Sequence, residues 1–244
     1  MPFTFSHPAI VLPFAFLSRN YISMTGLIIG SLAPDFEYFI RFKTLSLFSH
    51  TIPGIFYFNL PVAIILAFLF HHVVRNPLID NLPLSLKSRF IELKGFNWKN
   101  HFKQKYLVII ISIIIGAASH IFWDAFTHRN GYFVYQNPIL LQKINVLTFE
   151  LPLYNFIQHL STITGGIVVL SFIYFMKPEK QVDNKINSNY WIYISLIVLI
   201  VIFIKVISGI KINLIVTLIV TFISSLLIAL TVAPLLLRIF GKLK

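Results

Sequence analysis

The hydrophobic residues of the chain form five long runs, and short polar stretches separate them. Each run is long enough to cross the roughly 30 Å hydrocarbon core of a bilayer as a helix. The runs cover residues 53–75, 106–127, 157–176, 190–210 and 212–237. The pattern therefore predicts an all-α fold, a polytopic integral membrane helix bundle with about five full spans.

The apolar stretch from residue 8 to residue 31 does not fit this pattern, because Arg19 and Asn20 interrupt it in the middle. A continuous span would bury the arginine in hydrocarbon, which is costly. Two short helices that form a re-entrant hairpin, supported by the rest of the protein, avoid that cost. The fold prediction adopts this N-terminal hairpin, and a true span is the alternative.

Composition supports insertion into a membrane and restricts the chemistry. Hydrophobic residues make up 57% of the 244 positions and charged residues 11%, and the mean hydropathy is +0.82. A soluble domain could not cover so much apolar surface with so few polar side chains. The chain has no cysteine, so a metal ion would need His, Asp or Glu ligands.

The basic residues predict how the protein lies in the membrane. The formal net charge is +12, and most basic residues fall in residues 75–105, 177–185 and 238–244. The positive-inside rule makes these stretches cytoplasmic and puts residues 32–52, 128–156 and 209–212 at the outer face. We expect a multi-pass protein of the bacterial inner (cytoplasmic) membrane with a cytoplasmic C-terminus, membrane lipids as partners and no nucleic acid.

Two regions are expected to differ in their chemistry. Residues 1–176 form a membrane core that holds a metal site, with a basic cytoplasmic loop at residues 76–105. Residues 177–244 form a basic linker and two C-terminal transmembrane helices. This division follows from the acids and histidines, because those at the predicted outer face all precede residue 177.

The acidic and histidine residues at the predicted outer face can form a metal site. They are Asp35, Glu37, His50, His120, Asp124, His128, Glu150 and His159. Residues four apart on a helix turn through about 400°, so His120, Asp124 and His128 share one stripe. His120 and Asp124 can bind one ion. His128, about 12 Å along the axis from His120, is better placed for a second ion or a substrate phosphate, and Asp124 could bridge.

Asp35 and His50 can complete the ligand set. A hydrolytic zinc site needs three or four nitrogen or oxygen ligands and one open position. Imidazole and carboxylate suit zinc best among the common metals, although iron, manganese or nickel would fit the same ligands. The alternative for any single histidine is a hydrogen-bonded packing role. We expect that role for His71, His72 and His101, in or near the basic loop.

Three motifs, MPFTFSHPAIVLP, TGLIIGSLAPDFEYFIRF and GAASHIFWDAFTHRNGYFV, together resemble the uncharacterised bacterial membrane proteins of domain-of-unknown-function family 4184. The resemblance covers most of the chain and brings no established activity. The order His, Pro-Asp, His, Ser-His-x-x-x-Asp is more distantly similar to bacterial membrane-bound metal-dependent hydrolases and to the zinc-dependent phospholipase C and P1 nuclease group.

The distant resemblance implies a ligand set. It implies that Asp35, His50, His120 and Asp124 hold one zinc ion, that Asp124 also bridges to another ion, and that His7 is the N-terminal histidine ligand. His7 lies at the outer face only if residues 8–31 form the hairpin. The chain departs from the pattern, because His159 is followed by Ile163 rather than by a glutamate and the N-terminal tryptophan is missing. One or two ions are therefore expected, rather than three.

The expected function is that of a membrane-embedded, divalent-metal-dependent hydrolase acting on a phosphoester of a lipid or lipid-linked substrate at the outer face. His128 and Glu37 would act as acid or base, and Arg129 and Arg41 would hold phosphate oxygens. The alternative is a non-catalytic membrane protein, such as a transporter or assembly factor, whose polar cluster has a structural or docking role.

Overall fold

A computed structural model of the protein describes residues 3–18, 20–146, 148–209 and 215–240. Its helices are α1 (Met24–Leu32), α2 (Phe36–Arg41), α3 (Ile52–Asp80), α4 (Leu84–Phe90), α5 (Trp98–Thr127), α6 (Tyr132–Gln136), α7 (Leu153–Phe175), α8 (Ser188–Ile207) and α9 (Ile215–Ile239). Short 3-10 segments cover Thr4–Ile10, Leu12–Phe16, Ala33–Asp35, Ile91–Gly95 and Pro138–Leu141. Arg19 and most of the predicted turn at residues 209–212 lie outside the described residues.

Five of the described helices, α3, α5, α7, α8 and α9, are long and apolar enough to cross a membrane. Their outward faces are strongly hydrophobic: the exposed fraction is 68% for Leu170, 63% for Leu199 and 65% for Phe203. Such continuous apolar surface is unfavourable in water and is satisfied by lipid. The prediction of an all-α membrane bundle with five spans is confirmed.

One small element was not predicted. Strand β1 (Lys143–Val146) pairs antiparallel with strand β2 (Phe149–Pro152), with Asn145 opposite Glu150. The ammonium group of Lys143 donates a hydrogen bond of 3.0 Å to Glu150 Oε2 and ties the ends of this hairpin together. The hairpin precedes α7 and does not alter the helical class of the fold.

Residues 8–31 do not form one continuous helix. The 3-10 segments end at Phe16, and α1 begins only at Met24. Proline at positions 8 and 13 has no backbone N–H for a helical hydrogen bond, which favours short 3-10 turns over an α-helix. Ser23 then caps α1 by accepting a hydrogen bond of 3.2 Å from the backbone N–H of Gly26. The break agrees with two short helical segments, and the re-entrant course of this stretch through the membrane stays a prediction.

The chain divides into two compact units. The first contains Met1–Asp35, Leu47–Ile64 and Lys105–Phe175. The second contains Phe36–Ser46, Ile65–Gln104 and Met176–Lys244. Within the second unit, α8 and α9 pack through a cluster of buried apolar residues that includes Tyr190, Ile194 and Ala233. The predicted division of the chain near residue 176 stays a prediction.

In the first unit, glycines let α1 and α5 approach until their backbones touch. A Cβ atom on Gly30 would collide with the backbone oxygen of Ile113, and one on Gly116 would collide with that of Leu27. With Gly26, Gly30 forms a GxxxG pattern, which is typical of close helix packing in membranes. The contact places the C-terminal end of α1 beside the C-terminal half of α5, where the candidate ligands lie.

Candidate metal centre

Five candidate ligands come from four separate segments of the first unit. His7 lies in the Thr4–Ile10 turns, Asp35 ends the Ala33–Asp35 turn after α1, and His50 precedes α3. His120 and Asp124 lie one helical turn apart on α5. Asp35 and His120 have no exposed surface, and His7 and Asp124 are buried. The structure therefore brings together all five residues predicted as metal ligands.

Two histidines each lie close to two carboxylates. His50 Nε2 is 3.5 Å from Asp35 Oδ1 and 3.4 Å from Asp124 Oδ2. His120 Nε2 is 3.6 Å from Asp35 Oδ1 and 3.4 Å from Asp124 Oδ2. These separations exceed a normal hydrogen bond and are close to the spacing of about 3.4 Å between two ligand atoms that each lie about 2.1 Å from a tetrahedral zinc ion. The ligand atoms of His50, His120 and Asp124 lie within 4.8 Å of one another and could hold one ion.

Neighbouring groups orient these ligand atoms. His120 Nδ1 lies 2.7 Å from the backbone oxygen of Ser31, so this nitrogen donates its hydrogen and Nε2 keeps its lone pair for a metal. The hydroxyl of Thr4 donates a hydrogen bond of 2.5 Å to Asp35 Oδ2, which leaves Oδ1 toward the histidines. The ring of His50 is held by Ser49, whose Oγ is 3.0 Å from His50 Nδ1. Each contact directs the other atom of the ligand into the cluster.

Asp124 faces a different pair of histidines with its second oxygen. His7 Nε2 is 3.6 Å from Asp124 Oδ1, and His128 Nδ1 is 3.5 Å from the same oxygen. The ring of His7 also stacks on that of His120, with centroids 3.6 Å apart. Ligand atoms of His7, Asp35 and His120 lie within 4.8 Å of one another. His7 can therefore complete the first ligand shell, or it can bind a second ion that Asp124 bridges.

Several ligand-type atoms of this cluster are buried without a hydrogen-bond partner among the described residues. They are His7 Nε2, Asp35 Oδ1, His120 Nε2, Asp124 Oδ1, Asp124 Oδ2 and His128 Nε2. Burying a polar atom without a partner is costly, and native proteins seldom do so without a reason. A cation held by either of the two His and Asp groups would give several of these atoms a partner. The buried His and Asp groups could thus hold a metal ion.

Electrostatics within the cluster favour different protonation states for its histidines. Burial, reinforced by the nearby His120, lowers the pKa of His7 to about 3, so its imidazole is neutral and able to bind a metal at neutral pH. Burial would also lower the pKa of His50, but the carboxylates of Asp124 and Asp35 outweigh it and raise that pKa to about 9. Burial raises the pKa of Asp35, yet the surrounding histidines lower it overall. Asp35 is therefore an anionic ligand at neutral pH.

Glu37, predicted to be catalytic, and Arg41, predicted to bind substrate, lie in the second unit. Arg41 Nε donates a hydrogen bond of 2.9 Å to Glu37 Oε1, and the hydroxyl of Ser46 donates one of 3.1 Å to Glu37 Oε2. Both oxygens of this buried carboxylate are thereby engaged. The roles expected for Glu37 as acid or base and for Arg41 as a phosphate ligand stay predictions.

The remaining predicted residues lie near or beyond the end of α5. His128 is half-buried directly after the helix, and Arg129 is exposed in the turn that follows. Glu150 pairs with Lys143 on the strand hairpin, and His159 is exposed on α7. His128 is the one whose distance to Asp124 links it to the cluster. The binding and catalytic roles of His128 and Arg129 stay predictions.

Sequence reasoning missed the groups that orient the ligands. Thr4 and Ser49 were not singled out, and the backbone oxygen of Ser31 cannot be read from residue types. The available signal was the GxxxG spacing of Gly26 and Gly30, five residues before Asp35. That spacing indicates close packing of α1 against another helix and would have drawn attention to its C-terminal end.

The model of one protein family, described as a domain of unknown function (DUF4184), matches residues 1–235 of the chain. The matched region includes every candidate ligand. Neither the curated proteins nor the solved structures that were compared with the chain match it. The family description assigns no activity, so the function has to be argued from the geometry of the cluster.

Proposed function

Because the chain belongs to the DUF4184 family, whose description names no activity, we propose a function from its site: a membrane-embedded, divalent-metal-dependent hydrolase that acts on a phosphoester of a lipid or lipid-linked substrate. One observation supports it above all. Two imidazoles and two carboxylates from three segments meet at separations of 3.4–3.6 Å in a highly apolar protein. Burying two carboxylates together is unfavourable unless a cation compensates them.

The ligand types favour zinc. The proposed ligands are His7, Asp35, His50, His120 and Asp124, which offer imidazole nitrogens and carboxylate oxygens only. Zinc accepts this mixture in a tetrahedral or five-coordinate shell, and it is the ion most often used with such ligands in hydrolysis. When bound, such an ion supplies Lewis acidity that activates water and polarises a phosphoryl oxygen.

The chain's own residues would supply the proton transfer and the substrate contacts. His128 Nδ1 lies 3.1 Å from the backbone oxygen of Asp124, which favours a hydrogen on Nδ1 and leaves Nε2 to accept or donate a proton. The guanidinium group of Arg129, one residue later, is exposed and can hold two phosphate oxygens at once. Glu37 and Arg41 remain further candidates for these two roles.

The surroundings of the site support a lipid substrate. Five apolar helices make this a membrane protein, and α5, which provides two ligands, is one of them. A substrate anchored in the bilayer could reach the cluster without leaving the lipid phase. By the distribution of basic residues, we propose that the site faces outward from the bacterial inner membrane and that the C-terminus is cytoplasmic.

The test is metal content and hydrolysis of the protein purified in detergent. Wild type is compared with Asp124→Asn and with Asp80→Asn, a matched control whose carboxylate pairs with Lys94 in the second unit. We expect near-stoichiometric zinc in wild type and control, loss of zinc in Asp124→Asn, and zinc-dependent release of phosphate or headgroup from a phospholipid panel. Zinc without any hydrolysis would favour the non-catalytic alternative, and wild type that binds no divalent ion would overturn the metal site.

A further inference from the structure

A cavity of about 200 Å³ lies beside the metal cluster in the first unit. It is lined by the N-terminal 3-10 turns, by α5 and by α7. His7 lies at its edge, and the side chains of Ile10, Trp123 and Val168 contribute apolar walls. His7 joins the cavity to the cluster: it lines the cavity, and its Nε2 is 3.6 Å from Asp124 Oδ1.

The hydroxyl groups around the cavity are already used by the protein. Ser6 Oγ donates to the backbone oxygen of Thr162 at 2.9 Å. Ser161 Oγ donates to the backbone oxygen of Ile157 at 2.6 Å, and Thr164 Oγ1 donates to that of Leu160 at 2.9 Å. A sugar or a polar headgroup in this cavity would lose its hydration and find few partners. A hydrocarbon chain needs no hydrogen-bond partners and would lose none in this cavity.

The helix that forms one wall also faces lipid. On α7, Ile163 and Ile167 are 61% and 57% exposed, so the surface next to the cavity is apolar. Gly165 lies against the N-terminal turns, since a Cβ atom there would come within 2.8 Å of the backbone oxygen of Ser6. The apolar surface of α7 therefore leads from the lipid phase to the edge of the cavity, and His7 is the residue of the cluster that lies there.

We propose that this cavity binds the hydrocarbon chain of the substrate next to its phosphate, so that the substrate is a long-chain amphiphile whose phosphoester lies at the metal cluster. This inference rests on the proposed hydrolase function. It adds the place at which the hydrocarbon chain of the substrate is bound. The volume of about 200 Å³ is below the roughly 300–1,000 Å³ of pockets that enclose a whole small-molecule ligand. Only the part of one chain nearest the phosphate is held, and the rest stays in the bilayer.

The experiment uses two phosphonates that cannot be hydrolysed, octylphosphonate and methylphosphonate, titrated into the zinc-loaded full-length protein in detergent. Val168→Trp fills the cavity. Ile167→Trp adds the same bulk at the neighbouring, more exposed position and is the matched control. Zinc content is measured for every variant, so that a loss of binding through misfolding or loss of metal is recognised.

We expect wild type to bind octylphosphonate more tightly than methylphosphonate. Val168→Trp should weaken octylphosphonate binding by about tenfold, the effect of no longer burying about two methylene groups, with methylphosphonate binding and zinc content unchanged. Ile167→Trp should leave both affinities unchanged.

Two results would overturn the proposed binding of a hydrocarbon chain in the cavity and leave the hydrolase proposal intact. One is equal affinity of wild type for the two phosphonates. The other is undiminished octylphosphonate binding by both Val168→Trp and a second cavity-filling variant, Thr164→Phe. If zinc-loaded wild type binds neither phosphonate, the phosphoester function itself fails and this inference falls with it.

Discussion

Each of the two units contains a side-chain cluster with at least one buried histidine, and the two clusters differ in the charges beside the imidazole. In the first unit, His50 and His120 each lie within 3.6 Å of the carboxylates of Asp35 and Asp124. In the second unit, His71 stacks on Trp98 with centroids 4.6 Å apart, and its Nδ1 lies 3.0 Å from the guanidinium of Arg75. In the second unit, a guanidinium cation therefore lies beside the imidazole where the first unit has two carboxylates.

The second cluster holds the backbone together rather than a ligand. Arg75 donates hydrogen bonds to the backbone oxygens of Phe96 at 2.8 Å and of Lys94 at 3.1 Å, so it fixes the segment that leads into α5. The indole N–H of Trp98 has no hydrogen-bond partner among the described residues, but a donor cannot bind a metal. Burial of a histidine therefore does not identify a metal site. A metal site is identified by neighbouring groups that carry negative charge and have free lone pairs.

The most direct test of this difference replaces one histidine by glutamine in each cluster. His120→Gln should lose most of the bound zinc, because it removes a ligand nitrogen that lies near both carboxylates. His71→Gln should retain the zinc and instead lower the free energy of unfolding by about 1–3 kcal/mol, through lost stacking and packing. Elemental analysis and thermal unfolding of the purified variants measure the two effects. Equal zinc content in the two variants would remove the distinction between the clusters.

The next prediction concerns the glycine contact that brings the ligand segments together. Gly30→Ala should cost about 1–3 kcal/mol and weaken zinc binding, because the added methyl group meets the backbone of Ile113 and must displace α1 from α5. Gly95→Ala is the control, since a Cβ atom there meets no heavy atom within 4 Å among the described residues. Unfolding and zinc titrations of both variants test the prediction. Wild-type zinc affinity in Gly30→Ala would show that the site does not depend on this contact.

These two regions also show what the sequence could and could not predict. Long apolar runs identify the spans because the bilayer demands about 20 apolar residues per helix. The spacing of His120 and Asp124 likewise predicts one helical face, and both residues now lie at the cluster. The packing role expected for His71 agrees with its stacking on Trp98. All three inferences depend on local regularities.

What the spacing along the chain could not show depends on contacts between distant segments. Residue types alone do not bring His7, Asp35 and His50 to α5, and that complete set was predicted only through a distant resemblance. The orienting contact of His120 is a backbone oxygen, which every residue possesses. The strand hairpin was missed because its two strands have only four residues each. Such short runs show little periodicity.

A smaller effect is expected from the hydroxyl that orients Asp35. Thr4→Val keeps the shape of the side chain but removes its hydrogen bond to Asp35 Oδ2, so zinc affinity should fall by about 10–100-fold with little change in folding. Thr231→Val is a matched control on α9, where Oγ1 donates to the backbone oxygen of Leu227. Competition with a zinc-binding dye measures the affinities. Unchanged affinity in Thr4→Val would mean that Asp35 needs no orientation to bind zinc.

A change of about tenfold per pH unit is expected for the dependence of zinc affinity on pH. The carboxylates of Asp124 and Asp35 raise the pKa of His50 to about 9, so without metal this imidazole holds a proton at pH 7 that zinc must displace. Zinc affinity should therefore rise by about tenfold per pH unit from pH 7 toward pH 9 and then level off. His7, with a pKa of about 3, holds no proton in this range and adds nothing to the slope. Dye competition across this range, corrected for the dye's own protonation, measures the slope. A flat profile would mean that His50 is already neutral at pH 7 in the absence of metal, so that zinc displaces no proton from it.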